Sequence, residues 1–436
     1  MHLYFCGIGG SGLSSLAHIA LDCGFSVSGS DKVGNQNIQS LQRRGANIHI
    51  GQSGLEIELT HKKKPIYWVI QSSSIPANHP EIVFTNRENI KLSKRDVFIN
   101  FILKKDNLKL LAICGTHGKT TTSAMLSWLF YKLNIPASWV IGSNISFGNS
   151  GQFEPKSKYL ILEADEFDRN FLAFTPDFSL LTSLDYDHPD TYKTQEDYFG
   201  AFREFLDSSN NIVVFNEDLK KLRISSWQPT DISDSKITQL KRFFGGKVAD
   251  YNTFELFGLH NRQNAALVKT LFNKINLELK LEIKPGEIEQ ILSTFPGTTR
   301  RMEKLATNLY TDYAHHPAEI AATLELASEF KQNIVVVFEP HQNLRQHLIF
   351  KDYFNCFNLA KKVYWLPTFL TRENPDLKIL TPTELIANLE NPEIAEISSL
   401  DNDLKNKLQN HLLNHDLVVV MGAGDVDNWV RRELLV

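Results

Sequence analysis

A run of glycine, lysine and threonine residues in the first third of the chain has the pattern of a phosphate-binding loop. The run Gly115-Thr116-His117-Gly118-Lys119-Thr120-Thr121 follows an apolar stretch, Leu110–Ile113, that predicts a strand, and it precedes a helix-like segment. Glycines let backbone N–H groups close around phosphate oxygens, and the N-terminus of the helix adds the positive end of its dipole. The lysine supplies a point charge, and the hydroxyl of Thr120 can bind Mg²⁺. These residues predict a site for ATP or GTP with a magnesium ion.

The loop is shorter than the full P-loop pattern, because Ile113 and Cys114 stand where the longer loop would begin. This departure points to a subset of nucleotide-using enzymes. The alternative is an ordinary strand-to-helix turn with two glycines, which the Gly-x-x-Gly-Lys-Thr pattern between a strand and a helix disfavours.

Another glycine-rich turn precedes the phosphate loop and lies near the start of the chain. The predicted strand His2–Cys6 leads into Gly7-Ile8-Gly9-Gly10-Ser11-Gly12, and a second predicted strand, Phe25–Gly29, leads to Asp31. This matches the Rossmann fingerprint, in which an acidic residue about 20 positions after the glycines binds a ribose hydroxyl. A nicotinamide dinucleotide and the diphosphate of a UDP-sugar both fit the turn. The phosphate loop near residue 115 favours the UDP-sugar, because a dehydrogenase has no need of ATP. The expected ligand-binding residues are Gly9, Gly10, Ser11, Gly12, Ser30 and Asp31.

Two further segments complete the first hundred residues. The predicted strand Ile66–Gln71 leads into Ser72-Ser73-Ser74, where Ser72 and Ser73 either contact the ligand or form a solvated turn. The charged and partly helical segment Lys91–Lys105 is expected to link the first domain to the second.

Polar clusters follow two more apolar runs after the phosphate loop. Tyr159–Leu162 ends in Glu163-Ala164-Asp165-Glu166, and Phe178–Leu184 ends in a cluster that contains His188. In an open α/β sheet the ligand lies beyond the carboxyl ends of the strands, so these two clusters and the phosphate loop should converge on one rim. Oxygen ligands suit Mg²⁺, whereas histidine is a less usual ligand. The sequence predicts a magnesium site formed by Thr120, Glu163 and His188, with solvated loops as the alternative.

Bulk composition limits the classes of partner. A chain of 436 residues should hold two or three domains, and 50 acidic against 46 basic residues give a net charge of -4, which argues against nucleic acid as a partner. Four cysteines without CxxC spacing argue against a disulfide framework or a zinc site. The N-terminal segment lacks a basic leader, and no run of about 18 apolar residues occurs, so we expect no membrane partner and a cytoplasmic location.

In their order along the chain, these motifs resemble those of the Mur ligases, the ATP-dependent amide ligases of peptidoglycan assembly. The resemblance continues downstream of the phosphate loop and covers essentially the whole chain. The motifs that carry it are Gly115-Thr-His-Gly-Lys-Thr-Thr, Glu163-Ala-Asp-Glu, Asp187-His188-x-Asp190-x-Tyr192, Gly258-Leu-His260-Asn261-Arg-Gln-Asn264, Pro296-Gly297-Thr-Thr-Arg300-Arg301-Met-Glu303 and Asp312-Tyr313-Ala314-His315-His316-Pro317.

The resemblance implies three α/β domains. A Rossmann-like domain at residues 1–104 would bind the UDP-sugar, and a central P-loop-type domain at 105–296 would bind ATP and metal. A C-terminal Rossmann-like domain at 297–436 would help to bind an amino acid while closing over the nucleotide. Within the family, the N-terminal glycine motif and the terminal Gly422-Ala-Gly424-Asp425 are most similar to those of members that attach L-alanine to UDP-N-acetylmuramate.

The resemblance also implies roles for individual residues. Lys119, Glu163 and His188 match catalytic positions, and Tyr313, His315 and Arg345 match positions at the amino-acid site. UDP-N-acetylmuramate, L-alanine and ATP are the expected substrates, Mg²⁺ is the expected metal, and the expected state is a monomer or homodimer. The residues expected to bind ATP are Gly115, Thr116, His117, Gly118, Lys119, Thr120, Thr121, Asn261, Asn264, Arg301 and Asp312.

One position departs from the family pattern. Members that use alanine commonly carry an arginine directly after the histidine that corresponds to His341 and another three residues later, but here Gln342 takes the first position and only Arg345 remains. A neutral amide cannot replace the charge and fork geometry that an arginine offers a carboxylate. The preferred amino acid is therefore less firmly predicted than the reaction.

Three alternatives stay open on the sequence alone. A recycling ligase that joins a preformed tripeptide to the same nucleotide sugar shares most central motifs, although the Gly422-Ala-Gly-Asp ending and Asp190-Thr-Tyr192 disfavour it. A dinucleotide-dependent oxidoreductase is supported by the first glycine turn alone. A catalytically silent nucleotide-binding regulator is disfavoured because every expected phosphate and metal ligand is present.

Overall fold

A computed structural model of the chain describes residues 1–188, 191–223, 237–240, 253–371 and 373–435. Three sheets composed mainly of parallel strands, each accompanied by helices, confirm the expected three-domain α/β architecture. The described residues form two compact units: the first two sheets belong to the first unit, and the third sheet belongs to the second. Within these described ranges, no helix is long and apolar enough to cross a membrane.

The first sheet has five parallel strands in the order β3-β2-β1-β4-β5. The order reverses at β1, so the carboxyl ends of β1 and β4 form the crevice in which folds of this type bind ligands. The first glycine turn leaves the sheet at this crevice. Its elements are β1 His2–Cys6, α1 Ser11–Asp22, β2 Ser26–Asp31, α2 Gln36–Arg43, β3 Asn47–Ile50, α3 Leu55–Lys63, β4 Trp68–Gln71, α4 Pro80–Arg87, β5 Lys91–Ser93 and α5 Arg95–Lys105.

The segment that was expected to link two domains belongs to the first sheet and its helices. Residues 91–93 form the edge strand β5, and α5 buries Phe98, Ile99 and Ile102. The ring of Phe98 packs edge-on against Phe5 and Trp68, with centroid distances of 6.0 and 5.6 Å. The linker expectation was wrong because the charged residues of this segment flank an apolar helix face that needs a partner.

The second sheet has seven strands in the order β12-β11-β10-β6-β9-β7-β8 and is parallel except for the pair β7 and β8. The central strand β6 lies between β9 and β10, so the three strand ends that carry the predicted polar clusters are neighbours. Its elements and the helices that follow are β6 Lys109–Cys114, α6 Lys119–Lys132, β7 Ser138–Val140, β8 Gly151–Gln152, β9 Tyr159–Glu163, β10 Phe178–Leu181, α7 Gln195–Asp207, β11 Ile212–Phe215, α8 Asn216–Arg223, β12 Ile237–Leu240, α9 Leu259–Leu279 and α10 Glu287–Ser293.

Helix α1 joins the first two sheets. A Cβ added to Gly151 in β8 would lie 1.8 Å from the carbonyl oxygen of Ser15, so only glycine fits this contact. The Ser15 hydroxyl donates to the carbonyl of Ile141 (3.0 Å), and Asp22 accepts a hydrogen bond from the Phe153 N–H (2.8 Å). A continuous cluster of buried apolar side chains extends from the first sheet to the second. The two glycine turns therefore belong to one packed body.

The third sheet has six strands in the order β13-β14-β18-β15-β16-β17, with only β13 and β14 antiparallel. The strand β18 lies between β14 and β15, which brings the carboxyl ends at Asp312, Glu339 and Gly422 side by side. Its elements are β13 Glu303–Ala306, β14 Leu309–Asp312, α11 Pro317–Ser328, β15 Ile334–Glu339, α12 Asn343–Ile349, β16 Lys362–Trp365, α13 Pro382–Ile386, β17 Ala395–Ile397, α14 Asn402–Leu413, β18 Leu417–Gly422 and α15 Val426–Leu434.

Candidate functional site

The second glycine turn, residues 115–118, rests against the end of β10. Gly115 has a φ of +132°, and a Cβ there would lie 2.3 Å from the Thr182 hydroxyl oxygen and 2.8 Å from the Ser183 carbonyl oxygen. The N–H of Thr116 donates to that carbonyl (3.0 Å), and the N–H of His117 donates to the Ser183 hydroxyl (2.9 Å). The turn is thus fixed in shape by the neighbouring strand.

Helix α6 begins directly after this turn. Its N-cap, Gly118, is left-handed and makes no side-chain capping hydrogen bond. The first N–H groups of a helix lack intrahelical acceptors and carry the positive end of the dipole. The second turn therefore leads directly into a helix N-terminus, as the sequence predicts, and phosphate binding there stays a prediction.

Lys119 is held at the base of the turn by three acceptors. Its Nζ donates to the carbonyls of Gly115 (2.6 Å) and Thr116 (3.1 Å) and to the Glu166 carboxylate (2.9 Å). Burial lowers the pKa of Lys119, but Glu166 and other carboxylates outweigh burial and hold that pKa above its ordinary value. The lysine is therefore a stable cation next to the turn.

Glu166 is the buried partner of Lys119, and the sequence did not indicate this pairing. Its side chain is only 1% exposed. Tyr192 donates to its backbone carbonyl (2.6 Å), and Tyr198 donates to its carboxylate (3.4 Å). Glu166 is the last residue of the Glu163-Ala-Asp-Glu motif, but no sequence pattern near it indicates that it contacts Lys119.

Thr120 and Glu163 come together as predicted for a metal site. The Thr120 hydroxyl donates to Glu163 Oε1 (2.8 Å), and the N–H of Gly142 donates to Glu163 Oε2 (2.6 Å). Burial raises the pKa of Glu163, while these two hydrogen bonds act in the opposite direction. A carboxylate and a hydroxyl are the hard oxygen donors that Mg²⁺ prefers, so this pair fits the expected ion.

His188, the third expected metal ligand, has a φ of 56°. Non-glycine residues in this left-handed region are uncommon and cluster at functional sites. Its role as a ligand stays a prediction, and Asp190 of the same motif lies outside the described residues.

The first glycine turn, residues 7–12, is held by the residues at the end of β2. The carbonyl of Ser30 accepts from the N–H groups of Gly7 (2.9 Å) and Ile8 (3.0 Å), and Asp31 Oδ2 accepts from the N–H of Gly9 (2.8 Å). The side-chain amide of Asn37 donates to the Gly9 carbonyl (3.0 Å). Asp31 therefore fixes the shape of the turn, a role in addition to the ribose contact that the sequence predicts.

Ser30 has a buried partner. Its hydroxyl donates to Glu81 Oε2 (2.7 Å), and the same carboxylate accepts from Tyr4 (2.7 Å) and Cys6 (2.7 Å). Glu81 and Ser30 are both fully buried. Ligand atoms of Cys6, His79 and Glu81 lie within 4.8 Å of one another, a spacing that could hold a metal. The three hydroxyl and thiol donors already satisfy the carboxylate, so the cluster acts as a scaffold beneath the first turn.

Ser72 and Ser73 lie at the β1–β4 crevice. The N–H of Ser72 donates to the carbonyl of Cys6 (3.1 Å), and the Ser72 Cβ lies 3.3 Å from the place where a Cβ on Gly7 would stand. The hydroxyl of Ser72 contacts that of Ser74 (3.0 Å). Both predicted ligand-binding serines thus occupy the part of the fold where Rossmann-like domains bind ligands.

Two contacts connect the first turn to the rim of the second sheet. Arg95, at the start of α5, donates to Asp165 (2.7 Å), and its Nη1 lies 2.9 Å from the place where a Cβ on Gly12 would stand. Asn144 donates to Asn37 (3.3 Å). Burial would raise the pKa of Asp165, but Arg95 and Lys119 outweigh it and hold that pKa below its usual value. Sequence reasoning missed Arg95 because the segment around it was interpreted as a linker.

In the second unit, the predicted amino-acid-binding residues form a row of aromatic and basic groups. His315 Nδ1 lies 3.0 Å from the Tyr313 carbonyl oxygen, and its ring lies 5.8 Å from that of His341. Arg345 Nη1 lies 3.4 Å from His341 Nδ1. The ring of His341 stacks on Phe369 at 5.7 Å. The structure therefore brings Tyr313, His315 and Arg345 into one neighbourhood; amino-acid binding there stays a prediction.

The second-unit residues expected to bind ATP lie at the ends of β14 and α9. Asp312 accepts from the N–H groups of Met302 (2.7 Å) and Ala314 (2.8 Å), and burial raises its pKa although Arg301 acts against this. Burial, together with Arg301, lowers the pKa of His260 to about 4, and His260 directly precedes Asn261. Asn264 is buried one turn further along α9.

The turn Gly422–Asp425 is a structural corner. Glu339 Oε2 accepts from the N–H of Val426 (3.2 Å), at the start of α15. A Cβ on Gly424 would lie 2.4 Å from the same oxygen. The start of this helix is therefore occupied by a carboxylate of the chain itself, as expected for a corner and not for a third phosphate loop.

Comparisons with known proteins extend across all three sheets. Three family models match: "Mur ligase family, catalytic domain" at residues 2–106, "Mur ligase middle domain" at 113–281 and "Mur ligase, glutamate ligase domain" at 300–424. A relative from Clostridium acetobutylicum named UDP-N-acetylmuramate--L-alanine ligase is 30% identical over 451 residues, with 97% of this chain and 95% of the relative covered. The chain belongs to the Mur ligase family. The resemblance seen in its motifs is thereby confirmed.

Other relatives and structures agree with this family. A Clostridium botulinum (strain Langeland) protein of the same name is 31% identical over 455 residues, covering 98% of this chain and 95% of that protein. The crystal structure of the UDP-N-acetylmuramate-alanine ligase from Thermotoga maritima aligns with a TM-score of 0.75 at 24% identity, covering 100% of this chain and 98% of the other. A murein peptide ligase from Psychrobacter arcticus aligns with a TM-score of 0.68 at 21% identity, covering 100% and 98%. At these identities the two structures establish that the Mur ligase fold is shared.

Proposed function

We propose that this Mur ligase joins L-alanine to the carboxylate of UDP-N-acetylmuramate with ATP, as a step of peptidoglycan precursor synthesis. The observation that carries the proposal is the near-full-length similarity, at 30–31% identity, to relatives named for this reaction. The glycine turns at residues 7–12 and 115–118 support it, because the reaction needs one site for a nucleotide sugar and another for a triphosphate.

The reaction must overcome the low reactivity of a carboxylate. A carboxylate oxygen of the sugar acid attacks the γ-phosphorus of ATP, the bond from that phosphorus to the bridging oxygen breaks, and ADP leaves with the electron pair. The amine of alanine then attacks the acyl carbon, loses a proton, and displaces inorganic phosphate. No covalent intermediate with the enzyme is required.

Lys119 is proposed to neutralise charge on the transferred phosphoryl group. Its hydrogen bonds to Gly115, Thr116 and Glu166 fix the position of its ammonium group, so little reorganisation is needed when the charge develops. Glu166 is the residue that positions this lysine.

Thr120 and Glu163 are proposed to hold Mg²⁺, with His188 as a third ligand. The ion, when bound, neutralises charge on the phosphate oxygens. The hydrogen bond from the Gly142 N–H to Glu163 Oε2 helps to fix the carboxylate, whose other oxygen, Oε1, lies 2.8 Å from the Thr120 hydroxyl.

Tyr313, His315 and Arg345 are proposed to bind the amino acid. Arg345 is 6% exposed, and its guanidinium contacts His341. Gln342 has a φ of 63° and its N–H donates to the carbonyl of Phe369 (2.9 Å), so this residue shapes the loop with its backbone. The ATP contacts assigned to Asn261, Asn264, Arg301 and Asp312 stay predictions.

An assay of phosphate release tests the proposal. Purified protein is incubated with ATP, Mg²⁺ and UDP-N-acetylmuramate, and amino acids are supplied one at a time. We expect the largest release with L-alanine and a product whose mass corresponds to an amide of the sugar acid. Release without any amino-acid requirement, or none with any amino acid, contradicts the proposal.

The recycling reaction is tested in the same assay by offering the tripeptide L-alanyl-γ-D-glutamyl-meso-diaminopimelate beside L-alanine. A neighbour in the structural comparison, from Neisseria meningitides, is named for ligation of that tripeptide, with 20% identity and a TM-score of 0.57 over 69% of this chain and 99% of that one, so only its fold is shared. If the protein prefers the tripeptide, then the tripeptide and not L-alanine is the substrate.

Three further expectations stay predictions. They are the cytoplasmic location, the domain boundaries at 104/105 and 296/297, and the monomeric or dimeric state.

A further inference from the structure

Arg95 lies between the two glycine turns of the first unit. It is the first residue of α5, which packs on the first sheet, yet its guanidinium donates to Asp165 at the rim of the second sheet (2.7 Å). Its Nη1 atom lies 2.9 Å from the point where a Cβ on Gly12 would stand, so the guanidinium covers the start of α1. One cationic group thus contacts both halves of the unit.

Most of the donors on this guanidinium have no acceptor in the part of the chain that the structure describes. Arginine carries five N–H donors in a rigid fork. Among the residues that the structure describes, Asp165 accepts the only hydrogen bond that Arg95 donates. The Arg95 side chain is 24% exposed, so the remaining donors can reach a ligand. An anchored arginine with donors to spare is suited to a planar anion such as a carboxylate.

The adjacent residue, Lys94, forms an ordinary exposed ion pair. Its Nζ pairs with Asp168 at 2.9 Å, and both side chains are nearly half exposed. Such an exposed pair contributes little to stability or positioning. Lys94 therefore serves as a matched control for Arg95.

We propose that Arg95 binds the carboxylate of the acceptor substrate and that Asp165 positions Arg95 for this contact. The inference rests on the proposed function, in which the nucleotide of the sugar binds at the first turn and the triphosphate binds at the second. Backbone N–H groups at the start of α1 can bind the diphosphate. The Arg95 guanidinium, which is bonded to Asp165, is then free to bind the carboxylate of the sugar acid. Its positive charge offsets the repulsion between that carboxylate and the triphosphate it must attack.

Binding measurements with two nucleotides test the inference. UDP-N-acetylmuramate carries the carboxylate, whereas UDP-N-acetylglucosamine has the same nucleotide and diphosphate but lacks it. We expect Arg95→Gln to weaken the first ligand about 10- to 100-fold and to leave the affinity for the second within about 2-fold. Arg95→Lys keeps the charge without the fork and should give an intermediate loss for the first ligand. Lys94→Gln should leave both affinities unchanged.

Two results would overturn the inference. Equal losses for both nucleotides would place Arg95 on the diphosphate, and unchanged affinity for UDP-N-acetylmuramate in Arg95→Gln would remove the contact altogether. Thermal unfolding and ATP affinity of each variant separate a local effect from misfolding, and Arg95→Lys provides a second variant if Arg95→Gln does not fold. If the wild-type protein binds neither nucleotide sugar, the proposed function is contradicted as well. If the wild-type protein prefers UDP-N-acetylmuramate, the proposed function is supported independently of the results for the Arg95 variants.

Discussion

The two glycine turns of the first unit obtain their positive charge in different ways. The second turn carries its own cation, Lys119, at the first position of α6, and a buried carboxylate, Glu166, fixes it. The first turn has no lysine or arginine in residues 7–12, and the cation beside it, Arg95, comes from a different helix. A triphosphate needs charge compensation during the reaction, whereas a diphosphate in a sugar nucleotide needs only to be held.

The turns also differ in what supports them. Gly115 approaches the backbone of Ser183 and the Thr182 hydroxyl, which directly follow strand β10 of the sheet. Gly9 instead approaches the side-chain ends of Asn35 and Asp31. Backbone cannot move aside without disturbing the sheet, but side-chain ends can rotate. The difference teaches that the second turn is rigid at Gly115, where backbone lies beside it. The first turn is adaptable at Gly9, where only side-chain ends lie beside it, although the Ser30 carbonyl holds Gly7 and Ile8.

Removing the cation of the second turn should have the largest effect. Lys119→Ala should lower kcat by about 10²- to 10³-fold or more, because the lysine stabilises charge that develops in the transition state. Steady-state kinetics with saturating substrates measure this loss. Near-normal turnover would show that the turn does not act on the transferred phosphoryl group.

The same substitution leaves Glu166 buried without its cation, which costs about 3 kcal/mol or more of folding stability. The double variant Lys119→Met with Glu166→Gln removes both charges and serves as the control. We expect it to regain thermal stability but not activity. Recovery of activity in this variant would disprove a direct role for the lysine.

Adding one methyl group to a glycine of each turn should lower the free energy of unfolding more at the rigid second turn than at the adaptable first turn. Gly115→Ala should lower the free energy of unfolding by about 3 kcal/mol, because φ is +132° and the new Cβ meets the Ser183 backbone. Gly9→Ala should cost about 1 kcal/mol, since Asn35 and Asp31 can rotate away. Chemical denaturation of both variants measures the difference. Equal costs would remove the distinction between the turns.

The helices that follow the two glycine turns should differ in how much they lower the free energy of unfolding at acidic pH. Helix α1 contains the buried His18, whose pKa burial lowers to about 4, with a further contribution from Arg44. The folded pKa lies below the ordinary value of 6.5, so stability is lost as the pH falls from 6.5 toward 4. The loss should reach up to about 3 kcal/mol.

The variant His18→Gln tests this expectation. It keeps a hydrogen-bond acceptor for Arg44, which now donates to His18 Nδ1 (2.8 Å), but it does not titrate. Denaturation curves over the same pH window should be flatter in the variant than in the wild type. Parallel curves would contradict the assignment, and α6, which contains no histidine, should not contribute.

Removing one hydrogen bond from the first turn should have a small effect on ligand affinity. Asp31→Ala removes the acceptor for the Gly9 N–H, so the affinity for the UDP-sugar should fall about 10-fold, the equivalent of one hydrogen bond to a charged group. The affinity for ATP should not change. Titration calorimetry with each nucleotide measures both, and equal losses would argue against separate roles for the two turns.

The sequence alone predicted the parts of the site whose signals are local. The strand, glycines and helix around residues 109–132 form one continuous segment, and the convergence of the β6, β9 and β10 ends follows from the rule for parallel sheets. The pair Thr120 and Glu163 is 43 residues apart in sequence, and the same sheet rule predicts that the two residues meet. The hydrophobic periodicity of a strand or helix and the spacing of glycines can be seen within a short stretch of sequence, so the strand, turn and helix could be predicted without tertiary information.

The parts that were missed depend on partners far away in the chain. Glu166 acts through Lys119, and Arg95 acts through Asp165, so neither role has a local pattern. Ser30 was expected to bind ligand, and the structure adds a contact that the sequence did not indicate: its hydroxyl donates to the buried Glu81. A serine at a strand end is compatible with either role, and only packing decides between them.

The contact between Gly151 and Ser15 has a consequence for inhibitor chemistry. Because there is no room for even one added carbon between β8 and α1, direct backbone contact sets the spacing between the two halves of the first unit at this point. A compound that tethers a sugar-nucleotide mimic to a triphosphate mimic therefore faces a constant gap. A series of such compounds should show a sharp optimum in tether length, and Gly151→Ala should broaden or shift it.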